Sequence, residues 1–118
     1  MPEVGDIWFV DFGPSRPREP AYSRPAVVLA PMDRTDWGTT QVLAVPLTTT
    51  VREYEASVRI ERSDANGLAS LSYAQVDMMR CLPISACARR VGRLDPEAWV
   101  AIRYLAAQFM GFQSTWLR

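Results

Sequence analysis

DPEAWVAIRYLAAQFMG, residues 95–111, is the clearest helical stretch in the chain, and what precedes it reads mostly as short strands. Asp95 is an N-cap residue type. Pro96 suits the first helical position, where a missing N–H is no loss, and Gly111 stands just past the last turn. Trp99, Ile102, Leu105, Ala106, Phe109 and Met110 share one face at helical spacing, and that face is expected to be buried. Upstream, ASLSYAQVDMMRCL (69–82) is long enough for a strand bent midway, while PISACARRVGRL (83–94) reads as irregular or a short helix. ASVRIE (56–61) alternates like a half-exposed strand. QVLAVPL (41–47), RPAVVLA (24–30) and DIWFVDF (6–12) are apolar, and DIWFVDF is nearly so on both faces, as a buried strand would be. Between them lie GPSRPREPAYS (13–23), a loop stiffened by three prolines, and the polar PMDRTDWGTT (31–40). Short strands followed by one helix predict a mainly β, α+β fold: a small antiparallel barrel closed by a C-terminal helix, with residues 1–118 as a single domain.

Composition narrows the chemistry. The 118 residues carry 13 basic and 13 acidic side chains, so no global basic signal for nucleic acid exists, although a local basic groove is still allowed. Every basic residue is arginine; lysine and histidine are absent. This excludes a histidine acid–base pair, a histidine metal site, a Ser-His-Asp triad and a lysine Schiff base. Cys81 and Cys87 are too few for a zinc cluster, and as inert thiols they need no partner. No metal and no cofactor is therefore expected, and no glycine-rich phosphate cradle is present. The N-terminal MPEVGDIWF lacks a basic region ahead of an apolar stretch, and no run is long enough to span a bilayer. A cytoplasmic protein without membrane contact is the expectation.

Arg24 opens the second strand directly before Pro25. Arginine there is ordinarily a solvated or salt-bridged surface residue, with Glu19 its natural partner. Three features point to an anion instead. Arg16, Arg18 and Arg24 against the single Glu19 leave residues 14–24 with a surplus of two positive charges. The proline-rich loop limits chain freedom and favours a preorganised site. The third strand runs into Thr48, Thr49 and Thr50, whose hydroxyls suit phosphate oxygens. A second basic region, Arg80, Arg89, Arg90 and Arg93, lies in a stretch without any acid and reads equally as a solvated face or as phosphate contacts. Tyr22, Trp37 and Tyr54 are available for base stacking, with packing against the core the simpler alternative for each.

GDIWFVDFGPSRPRE, SRPAVVLAP, VLAVPLTT and GLASLSYAQV together resemble the MazF/PemK toxins of bacterial toxin–antitoxin modules, over about Gly5 to Met79. The resemblance implies an SH3-like barrel of the MazF/PemK/CcdB type, a homodimer, and a metal-independent, ribosome-independent endoribonuclease that cuts single-stranded RNA at short sequences. It matches the family's arginine to Arg24, its catalytic threonine to Thr48, its loop glutamate to Glu19 and its strand glutamine to Gln75. Attack of the ribose 2′-hydroxyl on the neighbouring phosphorus would cut RNA and spare DNA. Arg24 would clamp phosphate oxygens and Thr48 would donate to the transition state. Glu19 would be the base, since a guanidinium holds its proton too tightly. Arg16, Tyr22, Trp37, Thr49 and Gln75 would contact substrate. The implied partners are single-stranded RNA and a cognate MazE-like antitoxin with a disordered acidic tail. The chain departs from the family pattern at Pro20, Ala21 and Tyr22, which follow Glu19, and at Ala74, which replaces an aspartate.

Two other readings use the same fold. A CcdB-like gyrase poison would bind a protein target and cut no RNA. A generic SH3-like module would hold extended peptides in an aromatic groove.

Overall fold

The computed structural model describes residues 2–13, 23–32 and 40–111. Seven strands precede one helix: β1 (Asp6–Asp11), β2 (Ser23–Met32), β3 (Gln41–Thr48), β4 (Ser57–Ile60), β5 (Ser72–Gln75), β6 (Arg80–Pro83), β7 (Cys87–Arg93) and α1 (Pro96–Phe109). All pairings are antiparallel, in the order β4-β5-β3-β2-β1-β7. The expected mainly β fold with a C-terminal helix is present, but the sheet is not closed, and β4 and β7 stand at its two ends.

One edge of β3 pairs with β2; the other pairs with β6 along Gln41–Ala44 and with β5 at Leu47 and Thr48. Residues 72–83 thus run along β3 as a single interrupted strand. A 3-10 turn, Val76–Met78, supplies the interruption, which is the bend expected in this segment. The stretch expected to be irregular or helical, 83–94, is instead a 3-10 turn at Ile84–Ala86 followed by β7. Its arginines hide the strand pattern. Two register irregularities against β1 further break the alternation that would have revealed it.

Side chains alternate across the sheet, so it has two different faces. On one, Ile7, Val27, Val45, Val58, Ile60 and Val76 form the larger core cluster with Ile102 and Ala106 of α1. Fully burying an isoleucine such as Ile102 stabilises by about 1.5–3 kcal/mol, so this helix face fastens the fold. On the other, Val10, Phe12, Ala26, Ala44 and Leu82 make a smaller cluster. Trp99 and Leu105 pack on the larger core as expected, whereas Phe109 and Met110 are 58% and 54% exposed. The helix lies on β4 and the first 3-10 turn.

The helix begins and ends where its caps require. Asp95 occupies the N-cap position with extended backbone, and Gly111 follows the C-terminus with φ +90°. The Asp95 carboxylate, however, bonds no helix N–H. It accepts from Ser63 Oγ at 3.0 and 3.1 Å and from Asn66 Nδ2 at 2.9 Å, tying the helix start to the β4–β5 connection. Asn66 is fully buried and fully satisfied. Its oxygen accepts from the Ser63 and Leu68 amides, and its nitrogen donates to the Glu61 carbonyl and to Asp95. Two glycines let this turn dock on β7. A Cβ on Gly92 would overlap the Asn66 carbonyl, and one on Gly67 (φ +66°) would overlap the Val91 carbonyl.

Candidate active site

The site lies on the sheet face opposite the helix. Val10 pairs with Arg24 across β1 and β2, which places Arg24 on the side of the smaller cluster. The β2–β3 ladder pairs Ala26 with Pro46. Continuing that register two residues outward brings Arg24 level with Thr48, since opposed residues of an antiparallel pair share a face. The two line one cleft of about 330 Å³ together with Pro25, Leu47, Thr49, Thr50 and Ser72. Arg24 is half-buried and its Nε is shielded from solvent.

Thr48 ends β3, where the chain bends away. Its Oγ1 accepts the Thr50 amide at 3.1 Å. That bond occupies an acceptor position and orients the side chain, leaving the hydroxyl proton for an anion in the cleft. A delocalised cation beside oriented hydroxyls, with no carboxylate among the described residues that line the cleft, suits a phosphate whose negative charge grows during reaction.

The other expected residues divide into two groups. Arg16, Glu19, Tyr22 and Trp37, with Arg18, fall outside the described residues, so the base and part of the substrate surface are not placed. Thr49 lines the Arg24 cleft and Gln75 does not. Gln75 is buried in β5 opposite Ser57, near the Tyr54 hydroxyl. That hydroxyl donates to Asp77 Oδ1 at 2.7 Å. Partial burial, then the bond to the Asp77 carboxylate, pushes the Tyr54 phenol up to about 12, so it stays protonated at ordinary pH.

The second basic region is occupied within the fold. Asp6, almost completely buried, accepts from Arg90 Nε at 3.4 Å and Arg93 Nη1 at 3.5 Å. Its other oxygen accepts from the Glu3 amide and Trp8 Nε1. Arg80 donates to the Phe12 carbonyl at 3.2 Å, and the Arg89 guanidinium sits 4.2 Å from the Phe9 ring centre. Asp6 is the residue that sequence reasoning missed. The available signal was an acid opening an apolar strand and a run of arginines with no acid of its own. Cys81 and Cys87 are free thiols, Cys81 exposed and Cys87 half-buried with its thiol pushed up by burial. No group of three or more metal-ligating side chains occurs among the described residues. No described helix is long and apolar enough to cross a membrane.

An antiparallel sheet with a helix on one face and an arginine–threonine cleft on the other defines a small, mainly β protein with a cleft suited to an anion. The chain belongs to the PemK-like, MazF-like toxin family of type II toxin–antitoxin systems, whose profile matches residues 3–110. It is similar to the endoribonuclease toxin MazF of Escherichia coli K12, with 38% identity over 69 residues. That alignment covers 58% of this chain and 61% of the relative, less than two thirds of its length. Among solved structures, MazF from Deinococcus radiodurans superposes with a TM-score of 0.76 at 22% identity, covering 94% of this chain and 97% of that one. A mycobacterial endoribonuclease in complex with its cognate antitoxin gives 0.73 at 23% identity, covering 96% and 98%.

Proposed function

We propose that this toxin is a sequence-specific, ribosome-independent and metal-independent endoribonuclease that cuts single-stranded RNA and so stops translation. The observation that carries the reading is that Arg24 and Thr48, distant in sequence, line one cleft. Family membership and the endoribonuclease names of its relatives support it.

In this mechanism the RNA's own 2′-hydroxyl attacks the adjacent phosphorus, and the 5′-oxygen of the next nucleotide leaves. The products are a 2′,3′-cyclic phosphate and a 5′-hydroxyl. Charge builds on the non-bridging oxygens in the transition state. Arg24 clamps the phosphate through its planar fork of donors, and the Thr48 hydroxyl donates to a non-bridging oxygen. Both contacts strengthen as charge develops, which is what accelerates the step. Glu19 takes the 2′-hydroxyl proton, and the departing 5′-oxygen takes a proton from solvent, with the Arg24 guanidinium beside it. A MazE-like antitoxin covers the groove, and the toxin works as a homodimer.

The test is cleavage of a long RNA by purified protein in EDTA, with cut sites and end groups mapped. Arg24→Ala is expected to abolish cleavage while melting like the wild type. Full activity in that folded variant removes the assignment. A wild-type protein that arrests growth without cutting RNA would favour the gyrase-poison alternative.

A further inference from the structure

The sheet face that holds Arg24 and Thr48 continues beyond them. Thr48 pairs with Tyr73 on β5, and Tyr73 pairs with Arg59 on β4. Arg24, Thr48, Tyr73 and Arg59 therefore form a lateral row across four neighbouring strands, all on one face. At a strand spacing of about 4.8 Å, Arg59 stands roughly 10 Å from Thr48, a step that one or two nucleotides of single strand cover. There the row opens into a second cleft of about 440 Å³, lined by Arg52, Glu53, Tyr54, Glu55, Ser57 and Arg59, with Tyr73 at its floor.

Three properties of this cleft suit a nucleobase better than a phosphate. Its charged lining balances, with Arg52 and Arg59 against Glu53 and Glu55, so it offers donors and acceptors without net attraction for an anion. Tyr54 is an exposed aromatic held in place by Asp77, so a stacked base would cost little further ordering. The Ser57 hydroxyl is buried without a hydrogen-bond partner, an unmet demand that a polar ligand edge could satisfy. Arg59 holds Glu61 at 2.8 Å, but both are mostly exposed, and such a pair exchanges readily for another partner.

We propose that this cleft is a nucleobase subsite, occupied by a base close to the scissile phosphate, and that Tyr54 is its stacking platform and a specificity determinant. The proposal rests on the endoribonuclease reading for its substrate class. It is tested by fluorescence anisotropy with 2′-O-methyl octamers of A, C and U, which 2′-hydroxyl attack cannot cut, alongside cleavage-site mapping on a long RNA. Tyr54→Ala is expected to weaken at least one octamer by about 5- to 150-fold, the range for loss of one stacked base. It should also relax base preference at one position near the cut. Tyr54→Phe keeps the ring, and its binding is expected to stay within about threefold of wild type. Thermal melting of both variants checks that they fold. Unchanged binding and unchanged cut sites in Tyr54→Ala overturn the proposal. So do equal losses in the alanine and phenylalanine variants, or no octamer binding by the wild type. A wild type that binds octamers through Tyr54 yet cuts no RNA would sink the endoribonuclease reading and keep the subsite.

Discussion

Replacing Thr48 by valine exchanges one hydroxyl for a methyl group of nearly the same size. That hydroxyl offers two separable contacts. Its oxygen accepts the Thr50 amide at 3.1 Å, and its proton is left for the cleft shared with Arg24. Losing the first is cheap. The bond is exposed, so the Thr50 N–H can turn to water, and the cost falls near the low end of the usual 0.5–1.5 kcal/mol for a hydrogen bond. In the proposed mechanism, losing the second removes a donor to developing charge, for which comparable substitutions lower kcat by about 100- to 1,000-fold, or about 2.7–4 kcal/mol of barrier. Thr48→Val should therefore fall in kcat by that factor, with KM nearly unchanged and the melting temperature lowered only slightly. Thr48→Ser keeps oxygen and proton and should stay within about tenfold of wild type. The assay is steady-state cleavage of a fluorogenic RNA carrying one mapped site. A Thr48→Val enzyme within threefold of wild type would refute the donor role. A serine variant as slow as the valine one would show that shape, not the hydroxyl, is what the site needs.

Two further predictions concern the scaffold. Gly92→Ala should destabilise the fold by about 1–3 kcal/mol in urea unfolding, because its Cβ would collide with the Asn66 carbonyl and push the 63–66 turn off β7; unaltered stability would contradict that close approach. In a spectrophotometric tyrosine titration, one phenol should ionise near pH 12, not 10, and Asp77→Asn should bring it down. The raised value means that the folded state favours the protonated phenol. Its stabilising contribution is complete below about pH 10 and is lost as pH rises toward about 12, so unfolding free energy should fall across that window.

The parts of the fold legible in the sequence are those set by local chemistry. Asp95, Pro96 and Gly111 bracket the helix because caps act within a turn of the chain. The apolar runs mark β1, β2 and β3 because those strands are covered on both faces. What stayed hidden depends on partners far away in sequence. CARRVGR does not alternate like a strand, and it becomes β7 through pairing with β1 and through the buried Asp6, which engages Arg90 and Arg93. Asp95 suggests a side-chain cap, yet its carboxylate is drawn to Ser63 and Asn66, about 30 residues upstream. The lost cap bond is exchanged for a fully satisfied buried amide, which anchors the helix to the sheet.

The site itself was half legible, and the division is physical. Residue types could nominate Arg24 and the threonines, because without histidine or lysine few groups can stabilise phosphate charge. Whether they meet is a matter of strand register, and a slip of one residue would send Thr48 to the helix face and Thr49 into its place. The register is held by the core instead of by the site. Val27 and Val45 pair across β2 and β3 and are locked among the apolar side chains under α1. The helix face thus sets the alignment of Arg24 with Thr48 on the opposite face. It follows that large-to-small changes at Val27 or Val45 should lower thermal stability and RNA cleavage together, whereas changes at Arg24 or Thr48 should lower cleavage while leaving the fold nearly intact.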